Sequence, residues 1–140
     1  MSHPAFINTP SSHSGCCVCG QNVENGLALR FSASSDGTVS APFRPSTKVQ
    51  GYAGQVHGGV IATLLDGAMA QLLFFEGVEA VTAELQVRYV KPVPVEGNLS
   101  VRAKREGQRR NLHLLVAEVR SETGEVLAWA KGKFLPRGPM

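Results

Sequence analysis

The residues best suited by type and spacing to do chemistry are a His-Gly-Gly turn and an acid that follows it. The stretch reads His57-Gly58-Gly59 and, after six further residues, Asp66. Glycine lets a ligand approach the backbone closely, and the N–H groups at a helix start have no partner within the helix. With the helix dipole, such N–H groups provide what an oxyanion needs when a carbonyl is attacked.

Asp66 is the second candidate, because it is the only charged residue from Gly58 to Phe75. Acids are almost never fully buried without a partner, and burial is expected to raise the pKa of a carboxyl group. Acids with perturbed pKa values cluster at functional sites. The alternative is a structural role, in which Asp66 bonds a neighbouring strand and His57 merely ends a loop.

A helix from about residue 57 or 58 to residue 75 must position these groups, and Gly77 is placed well to end it. The helix is apolar on most sides, which predicts that it is covered nearly all round. At about 100° per residue, four small residues share the face of Asp66: Gly59, Ala62, Thr63 and Ala70. A stripe of small residues lets a substrate or a second helix come close.

Alternating apolar and polar residues predict strands on both sides of this helix. We expect strands at 27–32, 38–43, 79–90, 99–104, 112–119 and 126–134, with a hairpin at Asp36-Gly37 and a turn at Gly107. This order predicts an α+β domain in which an antiparallel sheet of about six strands wraps one long central helix. Residues 1–25 are expected to form an irregular arm, and residues 26–140 a single domain.

Size and composition exclude several classes of protein. With 140 residues, 43% hydrophobic and 18% charged, the chain fits one globular domain. A net charge of +3 does not indicate a nucleic-acid partner. The longest apolar run, residues 60–75, falls short of the roughly 20 residues of a membrane span. Residues 1–15 lack the apolar core of a secretion signal, so a cytoplasmic protein is expected.

Three cysteines crowd into four positions, as Cys16, Cys17 and Cys19. An odd set this close in sequence is a poor disulfide framework. His13 lies nearby, but structural zinc sites usually have a second ligand pair beyond a longer loop, and the sequence has no second pair. We therefore expect reduced thiols, with no metal and no cofactor.

The spacing from His57-Gly58-Gly59 to Asp66 resembles the His-Gly-Gly…Asp signature of hotdog-fold acyl-CoA thioesterases, especially the PaaI-like (phenylacetate-degradation) group. Residues 81–92 resemble the strand after the central helix in that family, which ends in a similar Tyr-x-x-Pro. Residues 16–20 and 25–27 resemble an N-terminal Cys-Gly…Gly-Leu element of some members, although a Pro commonly follows an Asn there and Val23 follows Asn22 here. The resemblance spans about residues 16–135.

The resemblance implies roles for five residues. Asp66 matches the catalytic carboxylate, which acts as a general base on water or as a nucleophile on the thioester carbonyl. Gly58 matches the oxyanion N–H donor, Gly59 matches its neighbour, and His57 matches a residue that orients the thioester. Thr82 matches a position that in some members helps to place the water.

Thr82 poses a difficulty, because the alternation of its strand puts it on the polar face. The resemblance therefore requires either a bulge in that strand or a site that is completed across a dimer. A solvated Thr82 without a role is the alternative. The family also implies a homodimer or a dimer of dimers, with active sites at the subunit interface.

Coenzyme A carries phosphates, which clusters of Arg and Lys bind well. The candidate CoA-binding residues are Arg88, Lys91, Arg102, Lys104, Arg105, Arg109 and Arg110. The last five lie within nine positions around Gly107, and a solvated hairpin tip is the alternative reading for them. Aromatic residues are not interleaved with these charges, which argues against nucleic acid.

The sequence thus predicts an enzyme that hydrolyses acyl-CoA thioesters to free acid and coenzyme A. One alternative is a hydroxyacyl dehydratase of the same fold; the lack of a second acid or a histidine on the helix argues against it. The other is a non-catalytic acyl-CoA-binding or regulatory module; the presence of both Asp66 and the Gly-Gly turn argues against it. Aryl and short or medium fatty acyl groups all remain open as substrates.

Overall fold

A computed structural model describes residues 5–138. The helix α1 spans Gly58–Phe75. The strands are β1 Ser32–Ala33, β2 Val39–Phe43, β3 Ala80–Tyr89, β4 Leu99–Arg109, β5 Leu112–Arg120 and β6 Val126–Pro136. The predicted helix is confirmed, as are the predicted strands on either side of it apart from the first.

The strands form one antiparallel sheet in the order β1-β2-β4-β5-β6-β3. The sheet curves around α1, which contacts every strand from β2 to β6. The expected α+β architecture, the hotdog arrangement of a long helix wrapped by a sheet, is confirmed. Because β3 comes last in this order, it forms one free edge of the sheet.

The core lies between α1 and the concave face of the sheet. Leu64, Leu65 and Met69 of the helix are fully buried, as are Val101 of β4 and Phe134 of β6. Burying a side chain of this size contributes about 1.5–3 kcal/mol, so this packing is the main reason that α1 is stable.

By length and composition alone, α1 also qualifies as a candidate membrane span, with a mean hydropathy of 1.5. The core helix of a globular domain passes the same test.

The prediction of a strand at 27–32 is wrong, because β1 has only two residues, Ser32–Ala33. Asn25 and Ala28 have positive φ angles of 60° and 50°, which break the extended backbone. The Leu29 N–H donates to the carbonyl of Val18 at 2.8 Å, so this segment is bonded to the N-terminal arm rather than to the sheet.

The predicted turn at Gly107 is also wrong. Strand β4 continues to Arg109, and its pairing with β5 shifts register between Arg105 and Gly107. A glycine within a strand pattern often marks such a bulge. The chain reverses three residues later, at Arg110, which has a φ of 54°.

Candidate active site

The start of α1 is built by His57, which caps the helix. Its Nδ1 atom accepts a hydrogen bond from the Gly59 N–H at 2.8 Å. The Gly58 N–H has no acceptor among residues 5–138. This N–H lies at the positive end of the helix dipole, so it is the donor that remains available to an anionic oxygen.

Tyr89, which the sequence analysis did not select, joins the end of β3 to this helix start. Its hydroxyl donates to the Gly58 carbonyl at 2.7 Å, while about half of the side chain is exposed. The only signal in the sequence is its place at the end of an alternating strand, three residues before Pro92. Tyr89 therefore helps to fix the peptide group that follows the available N–H.

A cavity of about 640 Å³ opens beside the helix start. One wall comes from the loop before α1 and its first turn, and the other from the end of β3 and the residues that follow. His57, Gly58, Tyr89 and Lys91 line it. A cavity of this size falls in the range of small-molecule sites in proteins.

Asp66 is held by a strand rather than isolated in an apolar setting. The Thr82 hydroxyl donates to its Oδ1 atom at 2.6 Å. The pairing of β3 with β6 shifts register between Thr82 and Glu84, so the bulge, one of the two alternatives considered for Thr82, is present. Because Thr82 pairs with the buried Phe134, it lies on the face of the sheet that is turned towards α1, although its side chain is still exposed at the sheet edge.

The expectation that Asp66 is buried is wrong for a single chain. Asp66 is half-buried, whereas its helix neighbours Leu64, Leu65 and Ala68 are fully buried. The reason is that the small-residue face of α1 lies towards β3, where the sheet ends. That face is left partly open by one copy of the chain.

One chain does not bring the two halves of the predicted site together. Eight residues of helix separate Gly58 from Asp66, which corresponds to about 12 Å at 1.5 Å per residue. A single thioester group cannot contact an oxyanion donor and a carboxylate that far apart. Asp66 and Thr82 accordingly do not line the cavity at the helix start.

The predicted CoA-binding residues do not form one patch. Along β4 the side chains alternate, so Arg102 and Lys104 lie on the outer face, in a groove of about 420 Å³ with Trp129. Arg105 lies on the other face, where it pairs with Glu76 at the end of α1.

The remaining candidates lie elsewhere. Arg109 and Arg110 are exposed at the end of the β4–β5 hairpin, and Arg88 is exposed on β3. Lys91 lines the cavity at the helix start and pairs with Glu125 at 3.0 Å.

His113 lies beside the ion pair of Arg105 and Glu76, at the opposite end of α1 from His57 and Gly58. It is 6% exposed, and its Nδ1 atom lies 3.0 Å from Arg105 Nη2. Burial and the Arg105 charge lower the pKa of His113, and the Glu76 charge opposes them. The ring is therefore neutral at pH 7 and acts as the acceptor for the guanidinium group.

Comparison with known proteins identifies the family. The family model described as the thioesterase superfamily matches residues 53–128, more than half of the chain, from the loop before α1 into β6. The chain belongs to the thioesterase superfamily. The matched segment includes His57, Gly58, Asp66 and Thr82. The resemblance to hotdog acyl-CoA thioesterases drawn from the sequence is confirmed.

A similar curated relative is the acyl-coenzyme A thioesterase THEM4 of Mus musculus, 38% identical over 79 residues. The match covers 54% of this chain and 34% of THEM4. The chain therefore spans about a third of the length of the curated relatives it matches.

Solved structures agree with the fold. The thioesterase superfamily protein RHA08564 is 28% identical with a TM-score of 0.82, covering 85% of this chain and 59% of that one. The BH2602 protein of Bacillus halodurans, crystallised with CoA, is 28% identical with a TM-score of 0.72, covering 83% and 78%. The PaaI protein of E. coli shares the fold at 18% identity and a TM-score of 0.73, covering 81% and 83%.

Proposed function

We propose that this chain hydrolyses acyl-CoA thioesters to free acid and coenzyme A. The proposal rests on two groups of α1, an available hydrogen-bond donor and an oriented carboxylate, in a member of the thioesterase superfamily. One is the Gly58 N–H, which has no acceptor within residues 5–138. The other is the Asp66 carboxylate, which Thr82 orients through a 2.6 Å hydrogen bond.

In the proposed reaction the thioester oxygen accepts a hydrogen bond from the Gly58 N–H, which stabilises the oxyanion of the tetrahedral intermediate. Asp66 takes a proton from water while the water oxygen attacks the carbonyl carbon. The C–S bond then breaks, and the coenzyme A sulfur leaves with that proton. Direct attack by Asp66 on the carbonyl, followed by hydrolysis of the anhydride, is the other route for the same groups.

Thr82 and His57 are positioning residues in this proposal. Thr82 occupies Oδ1 of Asp66, so that Oδ2 is left for the water or the carbonyl carbon. His57 occupies the Gly59 N–H and leaves Gly58 as the donor at the helix start. Gly59 would then serve the site through its lack of a side chain rather than through its N–H.

The proposed enzyme is a homodimer, or a dimer of dimers, with its sites between subunits. Two features support this: about 12 Å of helix separates the two catalytic groups of one chain, and β3 is a free edge beside the half-buried Asp66. Pairing of β3 with β3 of a second copy would cover the open face of α1. The helix start of one copy would then face the Asp66 of the other.

Acyl-CoA is the proposed substrate, since the similar BH2602 protein of Bacillus halodurans was crystallised with CoA. Lys91 is the best placed of the predicted phosphate ligands, because it lines the cavity at the helix start. The proposal assigns no metal and no cofactor to hydrolysis. A cytoplasmic location forms part of it, because three free cysteines fit a reducing compartment.

Replacement of Asp66 by Asn tests the proposal. Asn keeps the oxygen that accepts from Thr82 but cannot take a proton, so turnover should fall by about 10²–10⁴-fold with an unchanged melting temperature. Release of free thiol from aryl, short-chain and medium-chain acyl-CoAs measures the rate. The matched control is Asp36→Asn, since Asp36 is an exposed hairpin residue and Asn-Gly forms the same turn.

The same assay separates the proposal from its alternatives. Equal hydrolysis by wild type and Asp66→Asn would overturn the assignment of Asp66. Hydration of an enoyl-CoA without thiol release would identify a dehydratase. Binding of acyl-CoA without turnover by the wild-type protein would identify a non-catalytic module.

A further inference from the structure

The N-terminal arm folds into two tight turns that bring its histidine and two of its cysteines together. A short 3-10 helix spans Ser11–His13, and the Cys16 N–H then donates to the His13 carbonyl at 3.0 Å. The next turn is closed by the Gly20 N–H, which donates to the Cys16 carbonyl at 2.9 Å. As a result, every third residue from His13 to Cys19 projects to the same side.

The turn at Gly20 has no room for a side chain. A Cβ atom there would lie 2.6 Å from the carbonyl oxygens of both Ser14 and Cys16. Real Cβ atoms essentially never approach other atoms this closely, so only glycine fits. The turn that brings Cys19 close to Cys16 therefore requires glycine at position 20.

The potential ligand atoms of His13, Cys16 and Cys19 all lie within 4.8 Å of one another. His13 Nδ1 is 3.2 Å from Cys19 Sγ. In a tetrahedral zinc site, with a Zn–N bond of about 2.0 Å and a Zn–S bond of about 2.3 Å, neighbouring N and S ligands lie about 3.6 Å apart. The His13–Cys19 pair is therefore within a few tenths of an ångström of the spacing in a zinc site, and a pair as far apart as 4.8 Å would close by about 1 Å on binding.

We propose that His13, Cys16 and Cys19 bind a thiophilic divalent cation of the zinc class. On binding, each thiol releases its proton to solvent, and the two thiolates neutralise the dication while the imidazole stays neutral. The three side chains fill three positions of a tetrahedron, and water takes the fourth. The absence of a second ligand pair in the sequence, which argues against a metal, is no obstacle to a site with three protein ligands.

Neighbouring groups support each of the three ligands. The Val18 N–H donates to Cys16 Sγ at 3.3 Å, and the buried side chain of Gln71 on α1 lines the same pocket as Cys19. The edge of Phe74 packs against the His13 ring, with the ring centres 4.7 Å apart. Such outer contacts orient ligands in metal sites, and their loss typically costs 10–100-fold in metal affinity.

An acidic group also lies close to the histidine. The hydroxyl of Ser12, the residue next to His13, donates to Glu79 Oε1 at 2.9 Å. A metal-bound histidine usually directs its other ring nitrogen to a carboxylate, a backbone carbonyl or water, and Glu79 is the carboxylate available here.

The cation would hold the arm on the helix face beside the proposed catalytic acid. Val18, between two of the ligands, packs so closely on α1 that a Cβ at Gly67 would lie 2.8 Å from its Cγ1 atom. Gly67 directly follows Asp66 in sequence. The cation is therefore assigned to positioning the arm, and no step of hydrolysis passes through it.

Metal content of the full chain, purified under reducing conditions, tests the proposal. Wild type should contain one zinc per chain, and replacement by Co²⁺ should produce the thiolate-to-metal charge-transfer absorption of a tetrahedral site. His13→Ala and Cys16→Ser should weaken the binding by more than about 100-fold. The matched control is Cys17→Ser, because Cys17 is exposed and lies outside the cluster, and this variant should bind zinc like wild type.

Several results would overturn the proposal. One is fully reduced wild-type protein that takes up neither zinc nor cobalt. Another is a Cys17→Ser variant that loses the metal as readily as Cys16→Ser. A third is a Cys16–Cys19 disulfide, detected by mass spectrometry, that persists under the reducing conditions. Because the wild-type cobalt spectrum reports on the site directly, the test does not depend on variants that fold, nor on thioesterase activity.

Discussion

His57 decides which of two adjacent glycines presents its N–H group. By accepting from Gly59 at 2.8 Å, it removes that N–H from use and leaves Gly58 as the available donor. Residue type alone treats the two glycines alike, and only the family resemblance distinguishes Gly58 from Gly59. The side chain of the capping residue makes the distinction, and so the proposed oxyanion role belongs to Gly58.

Replacement of Gly58 by Pro would delete this N–H without breaking the helix. Proline is favoured at the first helical position, and His57, with φ −59° and ψ 136°, has the backbone conformation that a residue before proline requires. We expect kcat to fall by about 10²–10³-fold, with little change in the melting temperature. Steady-state thiol release measures the change in kcat.

The control for this experiment is Gly58→Ala, which keeps the N–H. An added Cβ would lie 3.5 Å from the Tyr89 ring, an ordinary van der Waals distance. The alanine variant should therefore retain most of the activity. Equal activity of the Pro and Ala variants would mean that the Gly58 N–H is not the oxyanion donor.

At the scale of elements, β3 contacts α1 at both Asp66 and Gly58. Its first half carries the bulge that turns Thr82 towards Asp66. Its last residue, Tyr89, binds the Gly58 carbonyl. One irregular strand therefore fixes both the carboxylate and the helix start, which a regular strand of period two would not do.

The opposite end of α1 is attached to the sheet through Glu76, Arg105 and His113. Because the pKa of folded His113 lies below its usual value of 6.5, the unfolded chain binds a proton first as the pH falls. The free energy of unfolding should therefore decrease below pH 6.5, with a slope from this group of at most about 1.4 kcal/mol per pH unit. Well above pH 6.5, where the histidine is unprotonated in both states, the group adds no pH dependence.

Urea unfolding at a series of pH values from 7.5 to about 5 checks this, with His113→Gln as the comparison. His13 also has a lowered pKa, because of burial, but it contributes equally to both proteins. The difference between their slopes therefore isolates His113. Parallel curves for wild type and His113→Gln would contradict the prediction.

At the scale of the whole molecule, the exposed strand β3 is the surface on which the proposed dimer would form. Val81 and Tyr89 are each about half exposed, and within residues 5–138 β3 pairs only with β6. A long apolar edge strand is a template for pairing with another chain. We expect a second copy to use this edge, because the same contact would bring a helix start to each Asp66.

Replacement of Val81 by Asp should disrupt the proposed dimer, since it would place a charge without a partner in the interface between the paired edges. Light scattering with size-exclusion chromatography should give twice the mass of one chain for wild type and a lower mass for the variant. Thiol release should fall in parallel with dimer content. The control is Phe6→Ser, which removes an exposed apolar side chain of the arm, away from β3.

A wild-type protein that is monomeric at every concentration and still hydrolyses acyl-CoA at full rate would contradict the dimer. It would also require another explanation of how groups about 12 Å apart act on one thioester. A stable Val81→Asp dimer would instead place the interface on another surface.

The sequence by itself determined the elements and the candidates. Residues 58–75 form the predicted helix because their apolar side chains must be buried and Gly77 stops them, and strict alternation predicts most of the strands. The His-Gly-Gly turn and Asp66 stood out by residue type alone. Local pattern failed at 27–32 and at Gly107, where positive φ angles and a bulge depend on contacts with distant residues.

Only the tertiary structure decided how these candidates are joined. The bulge brings Thr82 to Asp66 and two tight turns gather His13, Cys16 and Cys19, whereas the sheet carries Arg102 and Arg105 to opposite faces. It also revealed that one chain leaves Gly58 and Asp66 two helical turns apart. Periodicity specifies which side of an element is apolar, but the distance between two side chains depends on packing between elements that sequence spacing does not encode.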